Sequence, residues 1–187
     1  MKQEKIATLL PGNTKHLSKE KRIFDLRAEY AITAVSLALV AEHNQRILAL
    51  SIDPDLPRYF EGNPRPFRKI FTRLIKTALL ADDVDVVTAR IDHEGSDNQG
   101  RCLLKLSITA NGPGITPAAM HILRQPTRSA IAGRCDKNSH ALLVVSRQVR
   151  RMGGQLRIES LHGWGTRYVI EFKINQFSAP QVFATAS

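Results

Sequence analysis

Two groups of residues in this chain have types and spacings that can do chemistry. The first is Asn111-Gly112-Pro113-Gly114, which follows a short apolar run at 103–108. Two glycines around a proline make a tight turn whose backbone can approach a ligand without interference from a Cβ. The second lies on a helix predicted near residues 67–80. There Lys69, Arg73 and Thr77 recur every four residues and share one face, Lys76 borders it, and Arg65 and Arg68 lie near the helix start. Cations on one helix face steer acidic partners and lose strength with salt. A further basic set, Arg147, Arg150 and Arg151, falls on a later helix beside Arg157. The plain alternative for both basic sets is a solvated cationic surface.

The elements that position these residues follow from periodicity. Leu26, Tyr30, Ala34, Leu37 and Val40 recur at three or four, predicting an amphipathic helix to about His43. Residues 46–52 read as a strand stopped by Asp53-Pro54-Asp55-Leu56-Pro57. Pro64 and Pro66 sit at the entry of the next helix, where a missing N–H costs little, and Phe67, Ile70, Phe71, Leu74 and Ile75 form its apolar face. Residues 84–91 and 102–109 read as two strands joined by a polar loop at 93–101. A short helix at 117–123 precedes an irregular polar stretch. A helix at about 140–152 stops at Gly153-Gly154, and strands at 155–161 and 166–174 form a closing hairpin. Three helices against a mixed, mostly antiparallel sheet make a two-layer α+β sandwich.

Composition permits this reading and excludes others. A chain of 187 residues suits one domain with a sizeable core, and an apolar share of 43% is ordinary for one. Twenty-seven Lys and Arg against seventeen Asp and Glu give a net charge of +10, which favours acidic partners. Cys102 and Cys135 are too few for a disulfide framework and read as reduced thiols. With no run of eighteen apolar residues and no signal-peptide core, the sequence predicts a cytoplasmic protein without membrane insertion.

The order of Phe24-Asp25-Leu26-Arg27, Asp53-Pro54-Asp55-Leu56-Pro57, Gly62-Asn63-Pro64, Gly112-Pro113-Gly114, Gly153-Gly154 and Gly163-Trp164-Gly165-Thr166 resembles the ATP-binding domain of sensor histidine kinases, of the GHKL ATPase group. The resemblance covers residues 24–174. It implies that the basic segment 1–23 is a remnant of a dimerisation-hairpin helix, while the small and polar residues of 175–187 read as a flexible tail.

The same resemblance implies a degenerate nucleotide site. Ala110 stands where the family has an aspartate that reads the adenine amino group, a charge-assisted hydrogen bond worth roughly 1.5–3 kcal/mol. Arg73 and Thr77 stand where two asparagines are expected, the second of them a Mg²⁺ ligand. Magnesium asks for oxygen donors in near-octahedral array, and an arginine supplies none. Lys137-Asn138-Ser139-His140-Ala141 replaces a second glycine motif and contains no glycine. Thr77, Asn111, Gly112 and Gly114 are then relics of a cofactor site, with ATP and magnesium expected only if that site still functions. None of the six histidines has the context of a phosphoacceptor. The expectation is a non-catalytic regulatory module of two-component signalling. Its partner-binding residues would be Lys69, Arg73, Lys76, Arg147, Arg150 and Arg151, and its partner a response-regulator receiver domain or a histidine kinase. Two alternatives stand beside it: a histidine-kinase catalytic domain with divergent motifs, and a basic nucleic-acid-binding regulator.

Overall fold

A computed structural model describes residues 22–124 and 137–177. Strand β1 (Ile23–Asp25) leads into helix α1 (Leu26–His43), followed by β2 (Ile47–Ile52), β3 (Tyr59–Glu61) and α2 (Pro64–Leu79). Then come β4 (Val86–Ser96), β5 (Arg101–Ala110), α3 (Pro117–Arg124), α4 (Lys137–Arg151), β6 (Gln155–Leu161) and β7 (Gly165–Asn175). The main sheet has the order β2-β4-β5-β7-β6. Its β2–β4 pair is parallel and the other three pairs are antiparallel, so the expected mixed, mostly antiparallel sheet is present.

Helices α1, α2 and α4 cover one face of this sheet. The first lies toward the β2 edge, the second over β4 and β5, and the third toward β6, with α2 in contact with both neighbours. The fourth described helix, α3, rests on α4 and buries no residue of its own. Each helix start has a local cause. The Asp25 carboxylate accepts from the Ala28 amide at 3.1 Å, and Asn63 Oδ1 accepts from the Arg65 amide at 3.0 Å with a proline in the first turn.

The core between the layers is aromatic at its centre. Phe67 meets Phe71 edge to face at 4.7 Å and Phe172 at 4.4 Å, and Tyr30 meets Phe71 at 5.5 Å. Such pairs add about 0.5–1.5 kcal/mol beyond simple burial. The Tyr30 hydroxyl donates to the Ala89 carbonyl at 3.0 Å, tying α1 to the sheet, and burial pushes its phenol well above the usual range. Burial likewise pushes the Cys102 thiol up to about 11, leaving it inert at neutral pH. Cys135 lies outside the described residues.

Three expectations need correction. Strands β4 and β5 run further than predicted, so the polar loop at 93–101 shrinks to a four-residue turn. Asp97 builds that turn: its carboxylate accepts from the amides of Gln99 and Arg101, both at 3.0 Å, and pairs with the Arg101 guanidinium at 2.7 Å. The register irregularity between His93 and Ser96 lets the strands continue up to it. Second, β1 and β3 form an unforeseen antiparallel ribbon, with Phe24 opposite Phe60. Third, Asn175 ends β7, Gln176 bridges Phe60 and the Phe177 amide donates to the Tyr59 carbonyl at 2.9 Å, so these three residues are held. The rest of the expected tail and residues 1–21 lie outside the described residues.

Candidate functional site

The glycine turn, the last two turns of α2 and the start of α4 meet over the end of the sheet around a cavity of about 270 Å³. Helix α2 contributes Thr77 and Ala78, the turn contributes Asn111, Pro113 and Gly114, and α4 contributes Asn138, Ser139 and Leu142. Ala110, Thr166 and Tyr168 line it from the sheet. The pairing register explains that set: Ala110 lies opposite Thr166 and Ile108 opposite Tyr168, so β5 and β7 bring their ends to one place.

The side-chain oxygen of Asn111 is engaged by the protein's own backbone. Its Oδ1 accepts from the backbone amides of both Asp85 and Val86 at 2.9 Å, clasping the turn to the start of β4. The glycines beside it are required by the protein's own packing. A Cβ on Gly112 would sit 2.7 Å from the Asp83 carbonyl oxygen, and one on Gly114 would sit 2.8 Å from that of Leu161; both residues also have positive φ, +115° and +80°. The turn is thus explained by the fold without invoking a phosphate.

Thr77 is buried at 7% exposure, and its hydroxyl donates to the Arg73 carbonyl one turn back at 2.8 Å. Among the described lining residues Asp82 is the one carboxylate, and His162 is the one imidazole. Ala110 is buried and offers only a methyl group. The hydroxyls of Ser160 and Thr166 face each other at 2.9 Å, and Ser160 Oγ also takes the Ile115 amide proton at 2.7 Å. Tyr168 is buried, which pushes its phenol up to about 12. Ser139, Asp82, His162, Thr166 and Tyr168 were absent from the sequence-based set. The inward alternation of Thr166, Tyr168, Ile170 and Phe172 along β7 is the signal that could have found the last strand's share.

Beyond Thr77 and Asn138, which line both spaces, a second and larger groove of about 580 Å³ opens between α2 and α4. Arg68, Lys69, Arg73, Lys76 and Lys137 line it. Arg68 pairs with Glu29 of α1 at 2.9 Å, whereas among the described residues no carboxylate pairs with the other four cations. The structure therefore brings the predicted Lys69, Arg73 and Lys76 together and adds Lys137. It does not bring in Arg147, Arg150 or Arg151, which are exposed along the latter half of α4 outside the groove. Arg150 there donates to Ser146 Oγ at 3.1 Å, and Arg157 is ion-paired with Glu171.

No described helix is long and apolar enough to cross a membrane. The chain is 25% identical over 154 residues to the sensor protein GacS of Pseudomonas syringae pv. syringae, an alignment covering 81% of this chain and 17% of that protein. It is 26% identical over 133 residues to the sensor protein TorS of Escherichia coli (strain K12), covering 71% of this chain and 14% of that one. The chain thus spans less than a fifth of these curated relatives. Among solved structures it resembles the mycobacterial sensor histidine kinase MprB at a TM-score of 0.61, with 16% identity over 84% of this chain and 99% of that one. Full-length ShkA, solved in complex with AMPPNP, gives 0.62 with 21% identity over 86% of this chain and 32% of that one. At those identities the structures speak to the fold alone. The family model for histidine kinase-, DNA gyrase B- and HSP90-like ATPases matches residues 62–176, more than half of the chain, and the protein belongs to that family.

Proposed function

We propose that this chain is a non-catalytic regulatory module of two-component signalling, acting in the cytoplasm, and that its α2/α4 groove docks an acidic protein surface. The observation that carries this reading is the groove itself: Lys69, Arg73, Lys76 and Lys137 line one depression and lack carboxylate partners among the described residues. Four like charges held together cost repulsion, which an acidic partner relieves. A receiver domain, with acidic side chains around its phosphorylated aspartate, has the matching chemistry.

The cavity beside the groove fits magnesium–ATP poorly. At the α2 position where a metal ligand is expected, an ion would meet the Thr77 hydroxyl, already committed to a helix carbonyl, with Arg73 and Lys76 nearby, and Asp82 is the one carboxylate among the described lining residues. Ala110 gives adenine no acceptor, and the Asn111 oxygen is engaged by two backbone amides.

Two measurements test the proposal. Calorimetry with ATP, with and without Mg²⁺, is expected to give no heat; micromolar, magnesium-dependent binding would restore an enzymatic role. The Lys69→Glu/Arg73→Glu double variant should lose binding to purified receiver domains by more than about 100-fold, because reversed charges facing an acidic partner repel it. Its melting temperature should stay close to the parent's, since both side chains are exposed. Unchanged affinity would remove the groove from the interface.

A further inference from the structure

The cavity of about 270 Å³ differs sharply in chemistry from the groove beside it. Ala78, Ala81, Val84, Ala110, Ile115 and Leu142 give it an apolar body. None of the described residues around it is lysine or arginine, although the chain has 27 of them. Asp82 and His162 also line it, but both are exposed, so these groups sit on its solvent side. An apolar hollow with a few convergent polar groups is the usual form of a small-molecule site. A cavity of about 150 Å³ holds a benzene ring, so this one has room for two fused rings.

The hydroxyl protons at its sheet wall are all committed. Ser160 Oγ accepts from the Ile115 amide at 2.7 Å and donates to the Gly165 carbonyl at 3.1 Å. The Thr166 hydroxyl, 2.9 Å from Ser160 Oγ, therefore donates to it. Tyr168, hydrogen-bonded to Thr166 in turn, gives its proton to the Thr166 oxygen. Burial keeps that phenol neutral at ordinary pH, so the chain ends on an uncharged oxygen with a lone pair to offer. Bonds in such a chain polarise one another, which strengthens the last oxygen as an acceptor.

From this arrangement we infer that the cavity binds a neutral one- or two-ring molecule with a single N–H or O–H donor, held by Tyr168 Oη. Indole belongs to that class. Adenine does not, because it also brings ring-nitrogen acceptors; the hydroxyl chain has no proton left for them, and they would be buried unpaired. A phosphorylated ligand would find no cation among the described residues of the cavity. The inference does not rest on the docking role of the groove.

The test is calorimetry on the full 187-residue chain with indole, with its isostere benzofuran, which lacks the N–H, and with adenine. The parent should bind indole, and benzofuran roughly three- to tenfold more weakly, the effect of one neutral hydrogen bond. Adenine should bind more weakly than indole. Tyr168→Phe should bring indole and benzofuran to the same affinity, since it removes the acceptor and leaves the space. Ala110→Leu should bind neither, because its side chain fills the cavity. Should that variant fail to fold, as read by circular dichroism melting, Ala81→Leu fills the space from the half-buried position just after α2. An absence of indole binding to the parent would overturn the inference. So would adenine binding as tightly as indole, a preference for indole that survives in Tyr168→Phe, or full affinity in a folded, filled variant.

Discussion

Helices α1 and α2 lie side by side on the same face of the sheet, and their outer surfaces have opposite character. Every exposed residue of α1 from Ala28 to Leu39 is uncharged and most are apolar. The four exposed residues of α2 are Arg65, Lys69, Arg73 and Lys76. Their inner surfaces are alike: Leu37 of α1 and Phe71, Leu74 and Ile75 of α2 are each 1% exposed or less. The core therefore dictates the inward stripes of both helices, and it leaves the outward ones free to be set by what they meet. One outer face suits contact without counter-charge, and the other suits an acidic surface.

The strongest way to break this comparison is to show that inner and outer leucines on α1 behave alike. Leu37→Ala removes a side chain that is 1% exposed and should cost about 2–5 kcal/mol of unfolding free energy, read by urea titration at low protein concentration. Leu39→Ala, at 64% exposure, should stay within about 0.5 kcal/mol under the same conditions. Equal costs would mean that the outer face is packed within the monomer.

Salt sharpens the comparison further. Raising ionic strength from about 0.05 M to 0.5 M shortens the screening length roughly threefold and should weaken groove binding by an order of magnitude or so. The unfolding free energy should be unchanged or slightly higher, since the burial of apolar surface that sustains it is not screened. A parallel loss of binding and of stability would contradict the division between a cationic outer face and an apolar core.

The smallest expected effect comes from a site remote in sequence from both helices, and it serves as a baseline. The Arg101 guanidinium, with the amides of Arg101 and Gln99, holds the Asp97 carboxyl well below the usual carboxylate range. A folded-state value below the unfolded one adds stability that is present above about pH 4 and is lost as pH falls through the folded value. Asp97→Asn should therefore lower the melting temperature modestly at pH 7, and the gap to the parent should close in strong acid. A gap that persists in acid would mean that the turn depends on shape rather than on charge.

Much of the fold was legible in the sequence because long elements repeat their periods many times. The α1 stripe through Leu26, Tyr30 and Leu37 and the α2 stripe through Phe67, Ile70, Phe71, Leu74 and Ile75 are examples. The β1–β3 ribbon was not legible, since three residues per strand show no alternation and its partners are more than thirty positions apart. The basic half of the site was readable for the same reason as the helix that carries it, because Lys69, Arg73 and Lys76 follow helical spacing. Arg147, Arg150 and Arg151 shared that kind of spacing, but α4 turns them away from the groove and brings Lys137 in. The roles of Asn111 and Thr166 depend on neighbours that only the folded sheet supplies. The outward exposure of Ile32, Val35 and Leu39 was hidden by the helix itself: with apolar residues on every side, periodicity does not say which side is left over.

The clasp of Asn111 on the amides of Asp85 and Val86 couples two segments that are 25 positions or more apart in sequence. Should the glycine turn open, those two N–H groups are released together. Their deuterium uptake is therefore a built-in clock for the turn, timing how often it lets go and how far an occupant of the neighbouring cavity slows it.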